Sequence, residues 1–477
     1  MSDATTTGAP GGPLSRQYLE VTLAVLALVT IVAFESMAVS TAMPTVAREL
    51  HAVRSYGFAF SVMLTAQLLG IVLAGVWTDR SGPLPGTLVG QAMLAAGAAV
   101  CGSSTELPVF LLGRALTGLG GGLLVVMLYV IAGRVYPEVV RPRLFTYISA
   151  AWVLPSLLGP PISAWLTEHL SWRWVFWVVV VPVVVTMGVL LHAQRRVDTS
   201  HLRVAASHRD HAAHVKAAWA GVGIALAAGA VQYGTHDLVL QWSPKTVIAL
   251  AGLVGVLLVA PLLVPRGTWR MAPGLPSVVL ARAVFCAAFY GGITYVPLFL
   301  VGQRHASLQV AGLALAVGAI GWAAGAWYQG TDRLVMPRHR LIEVGGAVLA
   351  AGLLALSAVA WLNIPGWVSV FALLLTGLAM GLGVTTTTVL ALELSPMERH
   401  GEASSALQLS DVLGSVLGIA GATAAFAALH EPDHDNPLFG QIFLGLALVA
   451  LLAVPAGRRI VGGPKPAGVA EGQRIRT

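Results

Sequence analysis

Phe34-Glu35-Ser36-Met37-Ala38-Val39-Ser40-Thr41-Ala42-Met43-Pro44 closes the first long apolar segment of the chain, and its reading decides the fold. Between residues 20 and 47 the other charged side chain is Glu20, at the very start. Glu35 therefore sits where an ionised carboxylate costs roughly 2.5–3.5 kcal/mol on insertion scales. Such a group is kept protonated, tied to a neighbouring helix, or used, and an intramembrane carboxylate is by default a candidate for function.

The rest of the composition supports a membrane setting. Of 477 residues, 56% are hydrophobic and 10% charged, against about 25% charged in soluble domains. Cys101 and Cys286 both fall in or at the end of apolar segments, where cysteine acts as a small apolar residue. They offer neither a disulfide framework nor a metal-binding CxxC. Residues 1–19 read as a disordered polar tail without a charged signal region. The first apolar segment ends in Pro44 rather than a small-residue cleavage site, so it reads as a retained span.

Fourteen windows are long enough to cross about 30 Å of hydrocarbon as helices. They lie at about 20–43, 57–78, 87–103, 107–132, 144–167, 173–192, 217–234, 245–264, 277–300, 308–329, 341–362, 366–391, 403–428 and 438–457. An even number puts both termini on one side. With that side inside, the inner segments hold 22 of the 28 Lys and Arg and the outer ones 5, with Arg114 inside a span. This asymmetry places both termini in the cytoplasm. The net charge of +7 then reflects topology and contact with anionic lipid, and not nucleic-acid binding.

The longest inner loop, 193–216, contains His201, His208, His211 and His214, and an outer loop reads His430-Glu431-Pro432-Asp433-His434-Asp435. Neither has the closed ligand set of a structural metal site. Both read as solvated connections, and no metal or cofactor is expected. The second segment ends Gly75-Val76-Trp77-Thr78-Asp79-Arg80-Ser81-Gly82, a tight inner turn that glycine permits. The fourth carries Arg114-Ala115-Leu116-Thr117-Gly118-Leu119-Gly120-Gly121-Gly122, an arginine followed by a small-residue groove, and the fifth carries Gly159-Pro160-Pro161-Ile162-Ser163-Ala164. Small residues and prolines in adjoining helices suit close packing and bending.

Together these motifs resemble the major facilitator superfamily, and most closely its fourteen-span drug:proton antiporters. Glu35 to Pro44 is similar to that family's first-helix signature, an acidic residue with Pro nine positions later. The 75–82 turn resembles its Gly-x-x-x-Asp-Arg-x-Gly loop, Arg114 to Gly121 its Arg-x-x-x-Gly-x-Gly-Gly run, and Gly159-Pro160 its antiporter motif. Weaker matches are Pro297-Leu298-Phe299-Leu300-Val301-Gly302-Gln303, a degraded copy of the loop at Gly330-Thr331-Asp332-Arg333, and Glu398-Arg399-His400-Gly401. The chain departs from the family at Pro83-Leu84-Pro85, at Ser163-Ala164, at Pro155, at Gln67, where Tyr is frequent, and at Asp411, where a basic residue is.

The resemblance implies an all-α membrane protein of two six-helix bundles, 20–192 and 277–457, with two inserted central helices at 217–264. Cytoplasmic linkers at 193–216 and 265–276 and a tail at 458–477 complete the expected layout. It implies proton coupling at Glu35 and Arg114, and gating or conformational roles for Asp79, Arg80, Gly82, Gly159, Pro160 and Asp411. Counted at 1.5 Å per residue, Glu35 and Arg114 lie about 12 Å and about 10 Å from the outer ends of their segments. Burial opposes ionisation of such a carboxylate and a neighbouring guanidinium favours it. Gln67, Tyr129, Trp152, Tyr290, Thr294 and Gln408 are the candidate substrate contacts. An apolar, aromatic lining with few polar groups suits amphiphilic drugs or dyes better than sugars or phosphates. The expected protein is a monomer in the inner membrane, among lipids, exporting such molecules in exchange for protons. Export of a lipid or glycolipid for the envelope and proton-coupled uptake are the alternatives, and no acid-base or metal constellation marks an enzyme.

Overall fold

The computed structural model describes residues 12–137, 140–196, 211–235, 243–331, 336–396, 399–431 and 435–462. Expectations for residues 1–11, for most of the 193–216 linker with His201 and His208, for Asp332, Arg333, Glu398 and His434, and for the tail beyond 462 fall outside them. So do the side chains of His211 and His214.

Among the described residues the chain is helical, without a strand: α1 (Leu19–Glu49), α2 (Tyr56–Ser81), α3 (Pro83–Ser103), α4 (Leu107–Val135), α5 (Arg141–His169), α6 (Arg173–Arg196), α7 (His211–Thr235), α8 (Pro244–Leu263), α9 (Leu275–Gln303), α10 (Leu308–Gln329), α11 (Arg338–Trp361), α12 (Ser369–Glu393), α13 (His400–Leu429), α14 (Asn436–Leu451) and the short α15 (Ala453–Arg459). Helices α1 to α14 match the fourteen windows one for one. Twelve of the described spans are long and apolar enough to cross a membrane on composition alone. The other two, α5 and α7, have 29 and 25 residues, enough for about 30 Å at 1.5 Å per residue.

Three expectations need correction. The first helix does not stop at Met43 but runs to Glu49 with Pro44 inside it. Proline removes one backbone donor but is tolerated in membrane helices where neighbours satisfy the freed groups. The fourteenth window is two pieces, broken at Leu452, because Pro455 has no N–H to offer the carbonyl of Leu451. The tail, expected to be disordered through residue 19, is anchored from Pro13 onward. Thr22 Oγ1 donates to the Pro13 carbonyl (2.7 Å), so the Tyr136 hydroxyl at 2.8 Å must donate to Thr22. The Tyr18 and Tyr136 rings lie 5.1 Å apart, and burial lifts the Tyr136 phenol to about 12.

Helix pairing shows an internal repeat. In the first bundle α1 packs on α5 and α6, α2 on α4, and α3 on α4 and α6; adding eight to each number gives α9 on α13 and α14, α10 on α12, and α11 on α12 and α14, all of which are observed. The bundles meet through α2 with α13 and through α5 with α10, two contacts that the same rule interchanges. A parallel repeat of this kind is related by an axis along the membrane normal. Helices α7 and α8 stand outside the pattern. They pack on each other, and α7 lies against α2 and α13, where Leu68, Ile224, Val412 and Val416 share a core. Leu257, Leu258 and Leu262 of α8 face outward.

Close approach is set by small residues. A Cβ on Gly418 would fall 2.6–2.7 Å from backbone atoms of Ala287, and one on Gly414 2.9–3.0 Å from those of Ala283. The contact is backbone to backbone, so no rotamer change can relieve a larger residue there. Gly418→Val is expected to force α9 and α13 apart at a cost of about 1–3 kcal/mol, read as a lower midpoint in thermal unfolding of the detergent-solubilised protein. An unchanged midpoint would show that these helices have slack.

We call the side where α1 begins the near face. Several of the contacts that join the bundles lie toward the far face. The ring of Tyr56, at the start of α2, lies 5.5 Å from that of Tyr295 on α9. Gly57 abuts Tyr295 and Thr423, and Glu168 Oε1, at the end of α5, accepts from the backbone N–H of Gln309 of α10 at 3.3 Å. One hydrophobic core runs from Ala38–Ala59 of the first bundle into α9, α11 and α14 of the second.

Candidate functional site

Glu35 is 2% exposed and Arg114 1%, and the structure pairs them: Arg114 Nη1 donates to Glu35 Oε1. The similar depths counted along the sequence windows agree with this contact. Helix α1 continues past its sequence window to Glu49, about 21 Å beyond Glu35, whereas Arg114 is about 10 Å from the far end of α4. The guanidinium also reaches α2, where Nε donates to the Ala59 carbonyl (3.4 Å) and Nη2 to Met63 Sδ (3.1 Å). Thr117 Oγ1 donates to the Arg114 carbonyl (3.0 Å), on the same helix. Breaking such a buried pair by removing one partner typically costs about 3–5 kcal/mol, because the other charge is left uncompensated.

The conformational motifs fall at junctions. Asp79 and Arg80 occupy the last turn of α2, with side chains outside the described ones. Gly82 links α2 to α3 at φ 75°, a left-handed conformation that costs a side-chain-bearing residue but not glycine. Gly159 faces Phe34, Met37 and Ala38 of α1 in ordinary contact, and the Pro160 carbonyl lies where a Cβ on Gly312 of α10 would come to 2.8 Å. The motif thus sits between its own bundle and the other one.

Two of the six candidate substrate contacts come together. Tyr129 and Trp152 line a cavity of about 110 Å³ with Val29, Val32, Val125, Leu128 and Ile148, an apolar wall built from α1, α4 and α5. Tyr129 is 49% exposed. The other four do not line it. Gln67 is half-buried on α2, Gln408 is exposed on α13, and Tyr290 is half-buried on α9. Thr294 is buried, and its hydroxyl donates to the Tyr290 carbonyl (2.7 Å).

Asp411 has a partner that the sequence reading missed. Arg282 of α9 holds its carboxylate with both Nε and Nη2, the second at 2.7 Å, and Nη1 donates to the Val384 carbonyl (2.5 Å) and to Thr387 and Thr388 of α12 (3.2 and 3.0 Å). Cys286 donates to Asp411 Oδ1 at 3.4 Å. This pair is less enclosed than the first, with side-chain exposures of 12% for Arg282 and 31% for Asp411. The signal was present in the sequence: both residues stand two to three turns in from the near face, within reach of an arginine side chain.

A multi-pass helical protein with two repeated bundles and a charged pair sealed inside one of them has the form of a membrane transporter. The family model described as Major Facilitator Superfamily matches residues 25–419. The chain belongs to the major facilitator superfamily, a family of transporters of small molecules and not of enzymes. An uncharacterized MFS-type transporter of Mycobacterium tuberculosis is 26% identical over 429 residues, covering 87% of this chain and 60% of its own length. The multidrug transporter MdtP of Bacillus subtilis is 23% identical over 291 residues, covering 59% and 52%. The chain thus spans about 60% or less of the length of these relatives. Among solved structures, a POT family transporter in complex with 5-aminolevulinic acid superposes with a TM-score of 0.70 at 13% identity, covering 91% of this chain and 94% of the other. A D-xylose–proton symporter gives 0.62 at 16% identity, covering 92% and 98%. At these identities the structures establish the fold alone.

Proposed function

We propose that this chain exports hydrophobic or amphiphilic small molecules, of the drug or dye type, in exchange for protons by alternating access. In this reading it lies in the inner membrane as a monomer with both termini in the cytoplasm, and it needs no cofactor besides the proton gradient. The observation that carries the reading is the Glu35–Arg114 pair, sealed from solvent, with Glu35 one turn along α1 from Val32 of an apolar, aromatic cavity. A neutral ion pair is tolerable in a membrane interior, whereas protonating Glu35 leaves a net positive charge there, so the two states differ sharply in which bundle arrangement they favour. A membrane potential of about 150 mV gives about 3.5 kcal/mol per proton, enough to hold a neutral substrate at a gradient of a few hundred-fold. Several curated relatives are named as multidrug transporters, which supports the same reading.

The test is dye transport in everted vesicles under an imposed pH gradient. Accumulation driven by an acid interior supports export by exchange, and accumulation driven by the opposite gradient would overturn it in favour of uptake. Altered extractable lipids in a deletion strain, without any dye transport, would replace it with lipid export. Because Tyr129 and Trp152 form the aromatic wall of the cavity, Tyr129→Ala and Trp152→Ala are each expected to weaken equilibrium dye binding about tenfold, roughly what one buried aromatic contact supplies. Unchanged affinity in both would place the substrate elsewhere.

A further inference from the structure

Tyr56, Ala59 and Met63 are spaced by three and four residues, so they share one face of α2. One end of that face touches the other bundle through the Tyr56–Tyr295 ring contact. The other end holds the arginine, through the Ala59 carbonyl and the Met63 sulfur. Two turns of a single helix therefore connect the charged pair to the closure at the far face.

From this arrangement we propose that Met63 is a positioning residue that holds Arg114 against Glu35, and that α2 conveys the protonation of Glu35 to the far-face contact between the bundles. The inference rests on the proton-exchange reading and adds the element that links proton to movement. While Glu35 is ionised, Arg114 is shared between α1 and α2. Once Glu35 is neutral, the acceptors that α2 supplies are left with a larger share of the guanidinium, and the balance of contacts on that helix changes. Thioether sulfur is a weak acceptor, so Met63 tunes the position of the arginine without competing with the carboxylate. Among the described residues, the ionisable groups that face Glu35 from neighbouring helices are Arg114 of α4 and the Cys101 thiol of α3. Met63 itself does not titrate, so an effect on a pH midpoint must pass through the pair.

The experiment reads the far face directly. Glu168 and Gln309 are exposed and meet across the bundles at the ends of α5 and α10, away from the charged pair, and both native cysteines are buried. In a Glu168→Cys/Gln309→Cys protein, the yield of cross-linking by a short bis-maleimide is measured against pH without substrate, as a ratio to mono-maleimide labelling of the same cysteines at the same pH, so that the pH dependence of thiolate reactivity cancels. The yield is expected to follow pH with one midpoint, and Glu35→Gln to abolish that dependence. Met63→Leu, which keeps the volume but removes the acceptor, is expected to raise the midpoint by about half a pH unit, because a looser Arg114 favours the carboxylate less. Met63→Gln, whose amide oxygen can again accept, is expected to bring it back. A Met63→Leu midpoint equal to that of the wild type, or Leu and Gln variants that behave alike, would refute the role of Met63. A wild-type yield independent of pH would refute the relay through α2, while dye exchange in vesicles decides separately whether the proton-exchange reading stands.

Discussion

Glu35→Gln is expected to reduce pH-gradient-driven dye export at least a hundredfold while leaving equilibrium dye binding within a few-fold of the wild type. The amide keeps the shape and one acceptor for Arg114 but cannot take up or release a proton. It also leaves the guanidinium uncompensated at 1% exposure, so the variant should unfold at a lower temperature, as expected when a buried pair loses one charge. That loss calls for a second variant. Glu35→Asp keeps a titratable group one methylene shorter, and should retain slow export with a displaced pH profile. Gradient-driven export by Glu35→Gln at the wild-type rate would remove Glu35 from the mechanism; equal inactivity of Asp and Gln variants that have lost dye binding would mean that the site needs the glutamate as structure.

The charged pair was legible in the sequence because two ionisable residues in otherwise apolar windows have few ways to be satisfied. The helices were legible for a similar reason: in hydrocarbon every backbone group must be bonded within its own segment, so an apolar run of sufficient length has one outcome. The misreadings came from rules that tertiary packing overrides. Pro44 reads as a terminator, yet it lies within the last turns of α1, where Arg48 Nε donates to its carbonyl at 3.2 Å. From the sequence alone Arg282 reads as one of the 22 inner basic residues, since an arginine near a helix end commonly reaches back to the interface. It turns inward to Asp411 because α12 supplies the Val384 carbonyl and two threonine hydroxyls beside it, acceptors that belong to a third helix and leave no trace in the sequence near either residue.

The cavity was the least legible part. A polar or aromatic residue in a membrane helix can face the substrate or the next helix, and residue type does not separate the two. Thr294 shows the difficulty, since its hydroxyl is bonded to its own helix at Tyr290. Residue type singles out Tyr129 and Trp152, which line the cavity, but the valines, leucine and isoleucine that complete it carry no mark that distinguishes them from lipid-facing neighbours.

Arg114 offers the sharper test, because its substitutions separate charge from geometry. Arg114→Lys keeps a cation beside Glu35 but loses the planar fork that reaches α1 and α2 together; it should retain partial export, with a smaller change in pH profile. Arg114→Met removes the charge, so the carboxylate loses the partner that favours its ionised form and export should shift to higher pH by about one unit or more. It also leaves Glu35 alone at 2% exposure, which makes misfolding the competing explanation for lost activity. The double variant Glu35→Gln/Arg114→Met resolves that ambiguity: with both charges gone no buried ion is unpaired, so its thermal stability should recover relative to Arg114→Met while export is lost as in Glu35→Gln. If the double variant is no more stable than the single ones, the two residues do not act as a pair. If Lys and Met variants both fold and export with the wild-type pH profile, Arg114 is a packing residue and the coupling site must be sought elsewhere, first at Asp411.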